Sequence, residues 1–159
     1  MRENFFYIIK DDFFDKFTKL GSTFKYNKAE TRPVFCCFQD RIHNSLFWAI
    51  PTGSVKGKNL EKISRYIQLS EKDIRHAYYH IGYTNKKAIY YISSVFPIIS
   101  KYILREYTVS GKPLELKRNQ EIIIIRQKLL KILNYEKHFP NRLETHITDV
   151  KNELLKEVH

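Results

Sequence analysis

The chain has 159 residues, is 43% hydrophobic and 14% aromatic, and carries five glycines and five prolines. That composition excludes a disordered or low-complexity polypeptide and indicates one domain spanning residues 1–159 with one core. Lysine and arginine outnumber acids 28 to 17, a net charge of +11 concentrated before residue 115, which points to a polyanionic partner, nucleic acid first.

Phe5–Ile9 is a short run of β-formers and reads as the first strand. Lys10, Asp11 and Asp12 interrupt it, so no signal peptide is predicted, and no later apolar run is long enough to span a membrane; a cytoplasmic location is expected. A short helix follows from Asp11 to Gly21, with acids in its first turn, lysines later, and Phe13, Phe17 and Leu20 on one face. Ser22–Thr31 is a polar, basic loop. Pro33–Gln39 reads as a strand, Asp40-Arg41 as a turn, and His43–Ile50 as the returning strand, ended by Pro51. Adjacent Cys36 and Cys37 point to opposite strand faces and lack metal-binding spacing, so both are expected as reduced small hydrophobes.

Thr52–Lys58 reads as a loop, and Asn59 as the cap of a helix reaching about Leu69. Ser70-x-x-Asp73 suggests the start of another short helix, while His76–Tyr83 also fits a strand; the pattern leaves both open. Lys86–Ile99 looks like sheet, and Tyr102–Tyr107 continues as strand or helix. Ser110-Gly111-Lys112-Pro113 is a break. Leu114–Tyr135 reads as one long helix. Pro140 then opens a second, with Leu143, Ile147, Val150, Leu154 and Val158 forming a stripe. The expected fold is α+β: a compact antiparallel sheet with inserted helices and a C-terminal helical pair closing the core.

Familiar phosphate-loop, dinucleotide, zinc-protease and serine-hydrolase signatures are absent. His76 and His80 could share a helix face, but no acid beside them completes a metal site, so no metal and no cofactor are expected. The informative segment is Ala49-Ile50-Pro51-Thr52-Gly53-Ser54-Val55-Lys56-Gly57-Lys58. A hydrophobic strand runs directly into hydroxyls, glycines and lysines. Glycines admit close approach of a phosphate, hydroxyls bind its oxygens, and an ammonium offsets charge growing on phosphorus.

The chain resembles the toxins of type III toxin–antitoxin systems, the ToxN, AbiQ, CptN and TenpN group. The likeness runs through Phe6-Tyr7-Ile8-Ile9, Asp11-Asp12-Phe13-Phe14, Tyr26-Asn27 and Arg32-Pro33. It is strongest at Ala49-Ile50-Pro51 followed by Thr52-Gly53-Ser54-Val55-Lys56, and returns at Val95-Phe96-Pro97-Ile98. Gly53 separates Thr52 from Ser54, where the family often sets two hydroxyl residues together.

The resemblance implies an SH3-like barrel core similar to the MazF and Kid ribonucleases. It further implies metal-independent cleavage of RNA to a 2′,3′-cyclic phosphate and a 5′-hydroxyl. The implied partners are cellular RNA and a repeat antitoxin RNA folded as a pseudoknot, which the toxin cuts from its precursor and joins in a closed toxin–RNA complex. Some members defend against phage. The catalytic candidates are then Ser54, Lys56, Thr52 and Tyr7. Arg32, Lys25, Lys28, Tyr26, Lys58, Lys86 and Lys87 would bind RNA, with Phe24 and Trp48 as further stacking surfaces. Two rival readings share the composition: a non-catalytic module for structured RNA, and a protein-binding domain whose basic charge is incidental.

Overall fold

The computed structural model describes residues 1–57 and 59–158. Lys58, and with it one expected RNA contact, lies outside the described residues, as does the side chain of Cys37. In chain order the elements are β1 (Phe5–Ile9), α1 (Asp11–Lys19), β2 (Val34–Gln39), β3 (Phe47–Ser54), α2 (Leu60–Ile67), β4 (Tyr79–Tyr83) and β5 (Lys87–Tyr91). They continue with β6 (Phe96–Ile98), β7 (Ile103–Glu106), β8 (Thr108–Val109), β9 (Lys112–Pro113), α3 (Asn119–His138) and α4 (Ile147–Glu157).

The chain is therefore α+β. Seven strands make one antiparallel sheet in the order β4-β5-β3-β2-β1-β7, with β6 also paired to β3. β3 is the centre of this arrangement. One of its edges carries β2; the other carries β6 over Phe47–Ala49 and β5 over Thr52–Ser54. β4 and β7 remain edges, and no closed barrel forms among the described residues.

Several boundaries differ from the sequence reading, each for a local reason. The strand after the first turn starts at Phe47, not His43, because the Asp40 carboxylate takes the N–H groups of Ile42 and His43 at 2.9 Å and holds residues 40–46 in a turn. It then passes through Pro51 to Ser54. The proline sits where that edge changes from β6 to β5, a break in the ladder that tolerates a missing donor. Thr52–Ser54 is thus strand rather than loop. Both readings of residues 70–83 hold in part: Asp73 caps a 3-10 turn at Ile74–Ala77 by accepting from the Arg75 N–H, and β4 follows. Lys86–Ile99 is sheet broken by a turn at Ile92–Ser94, and Tyr102–Tyr107 contains strand β7. Ser110 and Gly111, with φ of 53° and 79°, turn the β8–β9 hairpin.

The long helix begins at Asn119, not Leu114. Residues 114–116 instead run beside β1, with Leu114 O accepting from Phe6 N at 3.2 Å and Leu116 N donating to Asn4 O at 2.9 Å. The last helix begins at Ile147, not Pro140. Its start is set by the buried Glu136 carboxylate, which accepts from Asn141 N, Thr148 N and the Thr148 hydroxyl.

The strand alternation builds two cores. Phe6, Phe35, Trp48, Ile50 and Tyr90 face α3 and the Leu143–Ile147 corner. Tyr7, Ile9, Val34, Phe47 and Ile98 face α1 and the Val150–Leu154 side of α4. The C-terminal helices therefore divide between the two cores: α3 packs in the first, and α4 packs in the second through Val150 and Leu154 while its first residue, Ile147, reaches the first. Phe13 is the hub of the second core, with its ring 4.8 Å from Phe17 and 5.0 Å from Phe96. No helix among the described residues is long and apolar enough to cross a membrane.

Candidate functional site

The end of β3 opens into a cleft of about 150 Å³. Three segments form it: the Lys28–Pro33 loop entering β2, residues 52–54 of β3, and the β4–β5 turn at Thr84–Lys86, with Tyr107 closing one side. None of the described lining residues is acidic. Of the residues expected at the site from sequence, Lys28, Arg32, Thr52, Ser54 and Lys86 come together here, out of three distant stretches of chain.

The loop is built on Asn27. Its buried side-chain amide donates to Ile9 O and to the Asp11 carboxylate, both at 2.9 Å. Its carbonyl accepts the N–H groups of Thr31 and Arg32. Between these anchors Lys28, Ala29 and Glu30 all take left-handed backbone, with φ of 51°, 52° and 62°. Three consecutive residues with side chains in that region carry strain of about 1–2 kcal/mol each, which surrounding structure must hold in place. The result is a turn that brings Lys28, Thr31 and Arg32 to the cleft.

Arg32 is the distinctive group. It is half-buried, and its Nε is shielded from solvent with no hydrogen-bond partner among the described residues. Burial draws its pKa below the ordinary arginine value, with the nearby Tyr91 phenol acting the other way; an arginine remains charged at neutral pH in either case. A guanidinium beside a concave surface without a carboxylate is arranged to receive an anion.

Ser54 lies across from Ala88 of β5, half-buried at the strand end. Gly53, one step before, faces the Tyr91 ring so closely that a Cβ there would sit 3.0 Å from its Cε2. The Lys25 ammonium stands 4.6 Å from the centre of that ring. Thr52 is buried, and its hydroxyl donates to Pro33 O at 3.0 Å. It therefore ties β3 to the start of β2 and leaves Ser54 as the accessible hydroxyl of β3.

Other candidates fall elsewhere. Tyr7 is a core residue whose hydroxyl accepts the Arg2 N–H at 2.7 Å. Lys56 is exposed, just past a tight turn closed by Lys56 N and Ser54 O, and does not line the cleft. Lys87 and Tyr26 are exposed and also outside its lining. Trp48 is in the first core, and Phe24 packs on the second. The sequence reading missed Asn27 as the anchor of the loop, and Thr84, Asn85 and Tyr107 as walls, because their proximity depends on strand pairing.

His76 and His80 do not share a helix. His76 belongs to the 3-10 turn and His80 to β4. An acid does come beside His80: Glu121 of α3, its Oε1 3.2 Å from Nε2. No group of three metal-ligating side chains occurs among the described residues. These histidines border a larger cleft, about 930 Å³, between α2, β4 and α3, which shares no residue with the one at Arg32.

No family model matches the chain, and a comparison with curated proteins finds no match.

Proposed function

We propose that the chain is a metal-independent endoribonuclease, the toxin of a type III toxin–antitoxin pair, with its scissile phosphate in the Arg32–Ser54 cleft. One observation carries this reading: a half-buried arginine without a hydrogen-bond partner on Nε among the described residues shares an acid-free cleft with a serine at a strand end. The open sheet, in which β3 is shared between β2 on one edge and β6 and β5 on the other, serves as the SH3-like core.

The chemistry asks little of the protein beyond position and charge. The substrate's own 2′-hydroxyl gives up its proton to water as its oxygen attacks phosphorus, forming the cyclic phosphate. The P–O5′ bond breaks, and the departing oxygen takes a proton from water to become the 5′-hydroxyl. Ser54 holds the 2′-hydroxyl or a phosphate oxygen in line. Arg32, with Lys28 and Lys86 around it, stabilises the charge on the pentacoordinate phosphorus. Lys25 and Tyr91 offer a cationic stacking surface beside Gly53. The partners in this reading are cellular RNA and a pseudoknot antitoxin RNA, processed by the toxin and closed with it into one assembly.

A second reading is favoured by a specific feature: the described cleft lining contains no histidine or carboxylate, the usual general bases near neutral pH. A non-catalytic module for structured RNA would need none. Incubation of the purified chain with total RNA in EDTA separates the two. Fragments ending in 2′,3′-cyclic phosphate, lost in Ser54→Ala and Arg32→Gln, are expected from the ribonuclease. Intact RNA, bound tightly at low salt, would reject cleavage in favour of binding.

A further inference from the structure

The larger cleft lies on the free edge of β4, with α2 on one side and α3 on the other. At about 930 Å³ it is within the range of small-molecule sites. We propose that this cleft binds a nucleoside monophosphate, its phosphate on Lys128 and Lys131 and its base between the isoleucines of β4, α2 and α3.

The charge is placed for it. Lys128 is only 7% exposed, and its ammonium donates to Tyr79 O at 2.7 Å. An ammonium has three donors, so two remain for a ligand. Lys131 stands one turn along the same helix and lines the same cleft. Neither lysine has an ion-pair partner among the described residues. Glu121 is turned to other work, accepting from Tyr83 N at 2.9 Å and facing His80 at 3.2 Å. Glu71, on the rim, is the one acid of the described lining and is exposed. Burial first, and repulsion from Lys131 second, lower the Lys128 amine to about 8. A bound dianion offsets both by stabilising the charged amine.

The remaining walls suit a base. Ile67, Ile81 and Ile124 supply apolar contact, and the amides of Gln68 and Gln127 offer paired donors and acceptors of the type that reads base edges. The His76 Nδ1 is shielded from solvent without a partner among the described residues and lines the same cleft, a polar atom that a ligand would satisfy. The proposal is independent of RNA cleavage, since the two clefts have no residue in common.

The test is calorimetric titration of the full chain with AMP, GMP, CMP and UMP, beside adenosine and inorganic phosphate, at low salt and neutral pH. One-to-one binding of at least one monophosphate is expected. Lys128→Met and Lys131→Gln should each weaken it by about tenfold or more, while Arg32→Gln leaves it unchanged. NMR of the Lys128 side chain should show its pKa rising on saturation. Lys131→Gln and the NMR titration decide the matter should Lys128→Met fail to fold. Absence of saturable binding by all four nucleotides would overturn the proposal. So would affinity lost in Arg32→Gln but kept in Lys131→Gln, which places the ligand in the other cleft. Inorganic phosphate binding as tightly as the nucleotides would reject the base as part of the ligand.

Discussion

The two clefts use positive charge in different ways. At Arg32 the cleft is small, acid-free and polar, and its central cation cannot lose its proton at any physiological pH. At Lys128 the cleft is several times larger and partly apolar, and burial draws its cation's pKa down to about 8. A fixed charge suits a reaction that must oppose developing negative charge every time it occurs. An adjustable charge suits a ligand whose binding raises the amine's pKa again. The scaffolds match: Arg32 is set by a strained loop anchored on Asn27, whereas Lys128 sits on the regular helix α3.

Arg32→Gln removes the fixed charge outright and should have the largest effect. Loss of one group stabilising a transition state costs about 100- to 1,000-fold in rate, so RNA cleavage measured in EDTA should fall by that order with the melting temperature nearly unchanged. Arg32→Lys keeps a charge but loses the planar fork and should recover only part of the rate. Full activity in Arg32→Gln would remove the fixed charge from the chemistry.

The adjustable charge predicts a pH signature of the next size. The Lys128 amine titrates at about 8 when folded and about 10.4 in an unfolded chain. Between those values the unfolded chain binds a proton that the folded chain does not, so stability rises with pH. The amine's contribution is complete above the unfolded value and is lost as pH falls through 8. Chemical unfolding of wild type and Lys128→Met at pH 7.5 and 10.5 should show a difference that drifts by on the order of 3 kcal/mol, wild type gaining toward high pH. A difference independent of pH would mean that Lys128 carries an ordinary surface charge.

The two clefts were unequally legible in the sequence. β1, α1 and β2 follow almost to the residue from short runs of β-formers and from a helical apolar stripe with acids in its first turn, because these signals are local. The hydroxyl-and-lysine segment after Ile50 lies at the end of β3 where the Arg32 cleft opens, yet it read as a loop: Gly53 and Pro51 are loop-formers by composition, and pairing with β5 overrides them. Thr52 and Ser54 are indistinguishable by type, and only the Pro33 carbonyl separates a structural hydroxyl from an accessible one. The second cleft was invisible, since Lys128 looks like an ordinary polar position of an amphipathic helix. Its burial comes from β4, about fifty residues earlier, through the Tyr79 carbonyl.

Gly82 packs directly against the Glu121 and His80 side chains. A Cβ there would lie 1.7 Å from Glu121 Oε1 and 2.7 Å from His80 Nε2. In Gly82→Ala the carboxylate must leave, taking with it the bond to Tyr83 N and leaving His80 neutral in a buried place. Burial already lowers the His80 pKa against the opposing pull of Glu121. Overpacking of this kind costs about 2 kcal/mol, seen as a lower melting temperature. Cleavage in the Arg32 cleft should persist, because neither Gly82 nor Glu121 belongs to its lining.

Gly53→Ala should give the smallest effect, and its near-cancellation is informative. The new methyl meets Tyr91 Cε2 at 3.0 Å and its hydroxyl at 3.3 Å, so the ring must yield by a few tenths of an ångström. That repulsion is opposed by the gain of about 0.5–1 kcal/mol from replacing a strand glycine by alanine. Tyr91 is half-exposed at the end of β5, so the ring can turn and the net change in stability should stay within about 1 kcal/mol. The ring's position is what changes: displaced from Gly53, it no longer holds the Lys25 ammonium at 4.6 Å. If Lys25 and Tyr91 form one surface for RNA, affinity should weaken several-fold at low salt while the fold is untouched. An unchanged affinity would confine RNA contact to the Arg32 side of β3.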